Sequence, residues 1–324
     1  MEVTELKIVM LERQSVGPDI DVSCFEELGE LVTYDNTVSV EEVAERIADA
    51  DAVIANKAPM NAVSMKDAPN VKFIGEFATG FDNIDIAYCR KKGIRVANVR
   101  DYSTAMVAQH TFTLALALSQ KIVHYDSYVK SGEYASQSRF SNFDVPFREL
   151  DGKTWGIVGL GNIGKRVAAI AASFGCRVIT HSLTGSKHEG PYEQVDSDTL
   201  FAESDYISLH CPLSDLSRDF IDEAALKKMK KSAILINVAR GPVVNTQALY
   251  DALVSGEIAG AGLDVLEKEP IAKDNPLGLI KDSGKLIITP HLAWASVEAR
   301  ERCVREAYLN LKAFMTGEER NAVV

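Results

Sequence analysis

The early part of the chain alternates short β-branched runs with amphipathic stretches, so the hydrophobic period switches between that of a strand and that of a helix. Leu6 to Leu11, Leu31 to Tyr34, Ala52 to Ala55, Val71 to Phe77 and Arg95 to Val99 read as strands, with helical patterns such as Val40 to Ala48 and Ile84 to Lys92 between them. That order implies parallel β-α-β units joined by right-handed crossovers, and hence a small flavodoxin-like layer. Ser103 to Ser119 is an apolar, alanine-rich run long enough for a buried helix, and Tyr134 to Leu150 reads as an irregular polar segment. A second alternating series then supplies six strands: Thr154 to Val158, Arg177 to Thr180, Tyr206 to Leu209, Ala233 to Val238, Ala261 to Val265 and Leu286 to Thr289. After Pro290, Ser296 to Met315 reads as one long helix with Ser296 as its N-cap and Gly317 as its stop.

Between the first strand of the second series and the helical pattern Lys165 to Phe174 lies Gly159-Leu160-Gly161-Asn162-Ile163-Gly164. In that setting the first glycine permits a tight turn and the second lets backbone approach a pyrophosphate. The third lets helix and strand pack closely, with the helix N-terminus facing negative charge. The fold class is therefore α/β, with two doubly wound parallel-sheet domains. A Rossmann NAD(P)-binding domain, residues 101–292, is inserted in a flavodoxin-like substrate domain of residues 1–100 and the C-terminal segment 293–324.

NAD-specific versions of this fold carry an acidic residue at the end of the second strand, where it takes the ribose hydroxyls. Ser182 holds that place here, and no carboxylate occurs between Lys165 and His188. His181, Thr184, Ser186 and Lys187 suit a 2′-phosphate, so the expectation is NAD or NADP with a slight lean to NADP.

A length of 324 residues accords with two domains, and 46% apolar with 25% charged residues excludes disordered and fibrous classes. Met1 to Met10 contains Glu2 and Glu5 and no long apolar run, which leads us to expect a cytoplasmic address without a signal or membrane segment. The five cysteines are scattered, with neither a metal-ligand spacing nor a disulfide framework, so buried free thiols and no metal are expected. A net charge of -11 opposes nonspecific nucleic-acid binding and repels anions at long range. An anionic substrate must then be captured by local cations and aimed N–H groups.

Several ordered blocks resemble the D-isomer-specific 2-hydroxyacid dehydrogenase family over almost the whole chain. They are Ala78-Thr79-Gly80-Phe81-Asp82-Asn83-Ile84-Asp85, the glycine loop, Leu209-His210-Cys211-Pro212-Leu213 and Ile236-Asn237-Val238-Ala239-Arg240-Gly241-Pro242. Ala261 to Val265, Glu267-Lys268-Glu269-Pro270 and Thr289-Pro290-His291-Leu292-Ala293-Trp294 complete the set. The resemblance implies Arg240, Glu269 and His291 as the catalytic set, and the chemistry agrees. His291 has a side chain suited to giving a proton to a developing alkoxide, Glu269 would orient it and favour its charged form, and Arg240 offers paired planar donors to a keto acid.

The resemblance further implies a substrate-binding set of Lys57, Ala78, Thr79 and Gly80 beside Arg240 and His291. For the cofactor it implies Val107, the six residues of the glycine loop, Ser182, His210, Cys211, Pro212, Val238, Ala239, Asp264 and Ala293. For Cys211 and Val107, plain packing is the competing explanation. Relatives pair through the cofactor domain, so a homodimer is expected, and Lys121 to Leu150 has the irregular length to wrap a neighbour.

Asn56-Lys57, the Ala-Thr-Gly loop and His-Leu-Ala-Trp look most similar to the glycerate dehydrogenase, or hydroxypyruvate reductase, branch. Phosphoglycerate dehydrogenases usually carry arginine near positions 55 and 76, where this chain has Ala55 and Glu76, so a phosphorylated substrate is disfavoured. Formate dehydrogenases of the wider family have glutamine where Glu269 stands. Glu76 itself is unusual and either points outward or selects a polar or cationic substrate tail. Other 2-hydroxy acids, such as D-lactate or a branched-chain acid, are alternative substrates. The alternative from another class is a dinucleotide-sensing, corepressor-like interaction protein, against which the lack of a basic nucleic-acid segment weighs.

Overall fold

The computed structural model describes residues 6–188 and 190–324. It divides into two compact units, one formed by the chain up to Ser103 together with Ala295–Val324, the other by Thr104–Trp294.

In the first unit β1 (Lys7–Met10), β2 (Glu30–Thr33), β3 (Ala52–Ala55), β4 (Phe73–Glu76) and β5 (Arg95–Ala97) form one parallel sheet in the order β2-β1-β3-β4-β5, the flavodoxin-like arrangement. Strands of such a sheet are covered on both faces, which is why every residue of β3 and β4 is buried. Two short helices connect them. Helix α1 (Val40–Arg46) opens on a capping box in which Ser39 and Glu42 accept each other's backbone N–H, and α2 (Ile86–Lys92) opens on Asp85 and stops at Gly93, φ 69°.

The second unit begins with α3 (Thr104–Ser119), α4 (Ile122–Lys130) and α5 (Glu133–Ser136). It continues with β6 (Thr154–Val158), α6 (Asn162–Ser173), β7 (Arg177–His181), β8 (Glu193–Gln194), α7 (Ser197–Glu203) and β9 (Tyr206–Leu209). Then come α8 (Glu223–Lys228), β10 (Ile234–Asn237), α9 (Thr246–Ser255), β11 (Gly260–Leu263) and β12 (Leu286–Ile288). Its sheet is parallel throughout, in the order β8-β7-β6-β9-β10-β11-β12, so counting runs outward in both directions from β6. This is the Rossmann order with one strand added, and the reversal between β6 and β9 marks the crevice where such sheets take ligands. Trp155 of β6 is wholly buried, packed on Tyr206 and Phe112 at ring separations of 5.1 and 4.6 Å. Its indole N–H donates to Ser208 Oγ at 2.9 Å, so the core carries this polar handle satisfied.

The last helix, α10 (Val297–Thr316), belongs to the first unit, where Phe314 packs on Phe73 at 5.1 Å and Asn310 Nδ2 donates to Asn98 O at 2.9 Å. Ser296 Oγ caps its start and Gly317, φ 80°, ends it.

Four expectations need correction. The second sheet has β8 beyond the six strands read from sequence; two polar residues paired only with Ile179 and Thr180 carry no alternation to detect. The segment from Tyr134 to Leu150, read as irregular, overlaps α5 at its start, and α4 before it was not read from sequence; neither helix buries a residue, so neither writes an apolar stripe into the sequence. Helix α6 starts at Asn162, inside the glycine loop, since Gly161 is its N-cap. All five cysteines are free, but Cys24 is only half-buried. Among the described residues no helix is long and apolar enough to cross a membrane.

Candidate active site

In a parallel sheet every strand points the same way, so the loops that follow the strands collect at one edge. In the second unit Arg240 follows β10, Asp264 and Glu269 follow β11, and His291 follows β12.

The turn at Arg240 is set by Asn237, the buried last residue of β10. Its Nδ2 donates to Arg240 O at 2.9 Å while its Oδ1 accepts from Ala239 N at 3.0 Å. Arg240 Nη1 reaches back to Ala239 O at 2.8 Å. A Cβ on Gly241 would collide with the carbonyl of Leu266 and the amide nitrogen of Glu267, so only glycine lets the Arg240 turn lie against the segment leading to Glu269.

Glu269 Oε1 accepts the Leu266 N–H at 2.9 Å, and Oε2 lies 2.7 Å from His291 Nδ1. A carboxylate only accepts, so Nδ1 carries the hydrogen and Nε2 is the ring nitrogen left for other chemistry. Both side chains are partly exposed.

His291 has φ 56°, a left-handed conformation uncommon for a residue with a Cβ. The surrounding hydrogen bonds account for it. Its N–H donates to Asp264 O and Thr289 O, each at 2.9 Å, while the Asp264 carboxylate accepts from Leu292 N and Ala293 N at 2.8 Å and from Thr289 Oγ at 2.6 Å. With its hydrogen given to Asp264, the Thr289 hydroxyl accepts from His110 Nε2 at 2.9 Å. Burial alone would raise the Asp264 carboxyl, but the donors His110 and Thr289 and the N–H groups of Ala293 and Leu292 outweigh it and hold the group below its ordinary range.

The glycine loop meets the demands of a pyrophosphate. Gly159 has φ 89°, and a Cβ there would lie 2.9 Å from His210 O. A Cβ on Gly164 would strike the Gly159 carbonyl, whereas nothing lies within 4 Å of the Cβ position of Gly161. That open space beside the second glycine is where phosphate approaches backbone in this fold. Gly161 also leaves the first turn of α6 without a side-chain cap, unlike α1, α7, α8, α9 and α10. The residues thus fit a dinucleotide.

The other cofactor candidates fall around the same strand ends. Ser182 directly follows β7, its hydroxyl 3.2 Å from that of Thr184, which lies 2.9 Å from Ser186 Oγ. His210, Cys211 and Pro212 follow β9; His210 Nε2 is 2.9 Å from Ser208 Oγ, and burial pushes the Cys211 thiol up to about 11. Val238 and Ala239 follow β10, Ala293 is buried beside His291, and Val107 is buried on α3, while Leu160 and Ile163 pack partly into the core beneath the loop.

In the first unit Lys57 is exposed in the turn after β3, and Ala78, Thr79 and Gly80 follow β4. The loop is anchored through carbonyls: Ala78 O accepts from Val99 N at 2.9 Å and Thr79 O from Asn98 Nδ2 at 2.7 Å. Glu76, read from sequence as outward-pointing or tail-selecting, does not point outward; it is the wholly buried last residue of β4. Sequence reasoning passed over Glu12, whose Oε2 accepts the N–H groups of Asn56, Lys57 and Ala58 at 2.7, 2.8 and 2.9 Å. It also passed over His110 and Asn237. A polar residue interrupting an apolar run is the only signal either gives, as in Val107-Ala108-Gln109-His110-Thr111-Phe112.

A family model described as D-isomer specific 2-hydroxyacid dehydrogenase, NAD binding domain, matches residues 112–293. The chain belongs to that family. As a D-2-hydroxyacid dehydrogenase it is an oxidoreductase acting on a CH–OH group, with an NAD-binding Rossmann domain. It is 39% identical over 323 residues to a hydroxypyruvate reductase of Blautia hydrogenotrophica, covering 98% of this chain and 99% of the relative. Among solved structures it resembles the D-lactate dehydrogenase of Aquifex aeolicus complexed with NAD and lactic acid, with TM-score 0.83, 31% identity and 96% of each chain covered. It also resembles an acyclic imino acid reductase in complex with NADPH and D-Arg, with TM-score 0.88, 30% identity and 98% and 100% coverage.

Asp264→Asn replaces one acceptor oxygen with a donor and so leaves at least one N–H of the His291 loop unpaired, at a cost of about 1–3 kcal/mol. The native carboxyl titrates below its ordinary 3.8, so its contribution is whole at neutral pH and is lost as pH falls through the lowered value. Thermal unfolding of the variant should therefore lag the wild type most at neutral pH, with the gap closing in acid. A gap that ignores pH would show that the charge on Asp264 does not hold the loop.

Proposed function

We propose that this dehydrogenase reduces hydroxypyruvate, and glyoxylate as its smaller analogue, to the corresponding 2-hydroxy acid, D-glycerate in the first case. The observation that carries the reading is the His291–Glu269 contact of 2.7 Å, on a loop anchored by Asp264 in the unit that holds the glycine loop. The substrate follows the Blautia relative, whose name states that activity. A bound nicotinamide supplies the hydride.

The protein's own residues supply the rest. Glu269 holds the imidazole by Nδ1, so that Nε2 faces the carbonyl oxygen and gives it a proton as the C–H bond forms. In the reverse direction the same nitrogen removes the hydroxyl proton. Arg240 engages the carboxylate and carbonyl with parallel donors, and Lys57 with the backbone of Ala78, Thr79 and Gly80 is assigned to the substrate carboxylate. Such residues can persist in a sensing protein of the corepressor kind, and turnover of a keto acid separates the two readings. The same reading gives the enzyme a cytoplasmic address, where five free thiols persist.

For the coenzyme we favour NADP. The hydroxyl chain Ser182–Thr184–Ser186 offers donors to a 2′-phosphate, and no acid stands at the end of β7 to repel it. We also infer pairing with a second copy of the chain, because Ile122, Val129, Phe140 and Phe143 leave an exposed apolar face on the segment after α3.

His291→Ala should abolish keto-acid reduction, followed by nicotinamide absorbance with hydroxypyruvate, glyoxylate, pyruvate and branched keto acids, while leaving coenzyme affinity within about twofold. Normal turnover in that variant would remove His291 from the role of acid. Ser182→Asp should move the ratio of kcat/KM for NADPH over NADH toward NADH by at least about tenfold, since the new anion repels the phosphate and accepts ribose hydroxyls; an unchanged ratio would show that position 182 does not select the coenzyme. Light scattering should return the mass of a dimer, and a monomer would refute the pairing.

A further inference from the structure

The buried carboxyl of Glu76 has no part in the chemistry described so far. It ends β4 two residues before Ala78, and its side chain is wholly inaccessible to solvent. Oε2 accepts from Asn83 Nδ2 at 3.3 Å, and Oε1 has no hydrogen-bond partner. Asn83 Nδ2 also donates to Ala58 O at 3.1 Å, and Asn83 O accepts from Met60 N at 3.0 Å. Both hydrogens of one amide are thus committed, one to the turn that follows β3 and one to Glu76.

The turn carrying Lys57 is consequently pinned from two sides. Glu12 gathers the N–H groups of Asn56, Lys57 and Ala58, and Asn83 holds the Ala58 carbonyl. Asn83 keeps its orientation only while Glu76 accepts its second hydrogen, because an amide with one bond is free to swing.

We propose that Glu76 is a positioning residue for the substrate-binding loops: through Asn83 it fixes the turn bearing Lys57 relative to the strand end that leads into Ala78, Thr79 and Gly80. This rests on the dehydrogenase reading of those loops. Glu76 does this work as an uncharged acid. A buried carboxylate with one neutral donor and one bare oxygen is far more costly than the neutral form. The ionisable groups around it are Glu12 from the end of β1, Lys57 from the turn after β3, Asp82 from the following loop and Cys303 from α10. Burial holds the carboxyl well above the ordinary glutamate range; the Asn83 hydrogen bond opposes this, the charge of Glu12 adds to it, Lys57 opposes and Asp82 adds. Ionisation would set a second negative charge near Glu12, on a carboxyl with one oxygen unpartnered, and pull the turn out of register.

The test compares wild type, Glu76→Gln, Glu76→Ala and Asn83→Ala, each as the whole 324-residue chain with hydroxypyruvate, from acidic to alkaline pH. Gln keeps a neutral acceptor for Asn83, so its KM should stay flat while that of the wild type climbs with pH, with kcat alike in both. Glu76→Ala and Asn83→Ala should raise KM at every pH by about five- to tenfold, the worth of one hydrogen bond of ordinary net strength. Stability gives a readout independent of turnover. A group whose folded value is raised contributes fully below its ordinary 4.5 and loses that contribution as pH rises through the folded value. The wild-type folding constant should therefore fall relative to that of Glu76→Gln by about tenfold per pH unit across that interval.

Parallel unfolding curves, or identical pH profiles of KM in wild type and Glu76→Gln, overturn the proposal, and that comparison stands even if the alanine variant does not fold. Unaltered KM in Asn83→Ala with wild-type turnover intact overturns it while leaving the dehydrogenase reading in place. A wild type that reduces no keto acid removes both.

Discussion

The left-handed backbone of His291 is the constraint on which its contact with Glu269 depends, and the buried carboxylate of Asp264 is what sustains it. A residue with a Cβ adopts positive φ at a cost of order 1–3 kcal/mol and holds it only where neighbours leave no alternative. Here the N–H groups of His291, Leu292 and Ala293 all converge on Asp264, two on its side chain and one on its carbonyl. The backbone geometry thereby places the ring within 2.7 Å of Glu269 Oε2. The arrangement explains why the strand before it ends in Gly260-Ala261-Gly262-Leu263: small residues allow α3 to pack close, with a Cβ at Gly262 falling 2.8 Å from Leu114, and α3 carries His110 to the Thr289 hydroxyl.

The two units use the same device at their parallel-sheet edges. In each, a side-chain carboxyl of low exposure at the end of a strand accepts several backbone N–H groups from the loop after another strand: Glu12 at 5% exposure for residues 56–58, Asp264 at 2% for residues 292 and 293. Loops at the edge of a parallel sheet have no ladder to fix them, and an acid with several acceptor sites replaces the ladder with a fan. Each fan ties its loop to the end of a neighbouring strand through hydrogen bonds.

Much of this was legible from residue order. The strands declare themselves because a parallel sheet buried on both faces writes continuous apolar runs such as Ala52 to Ala55, and the glycine loop does so because each of its tight positions has a steric reason. Glu269 and His291 are 22 residues apart in sequence, and only the family resemblance joined them. What stayed hidden lacks a periodic or local signature. Strand β8 is two polar residues long, α4 buries nothing, and the fans of Glu12 and Asp264 are made with backbone N–H groups, which every residue type carries. The outward reading of Glu76 fails because an acid in sequence argues for solvent, while its place at the end of an all-buried strand argues the opposite, and topology prevailed.

The same buried acids bear on how a chain of net charge -11 deals with an anionic substrate. Formal charge counts each carboxylate equally, but the field at a loop depends on what each one faces. Glu12 and Asp264 are surrounded by N–H dipoles that point at them, so their charge is locally balanced by the backbone they organise. Burial holds the Glu76 carboxyl well above the ordinary glutamate range, so it adds less to the repulsion than its formal charge implies. Exposed acids such as Asp126, Asp198 and Glu223 are paired with lysines and screened by salt within about 10 Å. Each unit carries one cation proposed above for the substrate, Lys57 in the first and Arg240 in the second, and a cation beside an anion outweighs distant acids whose fields salt has screened.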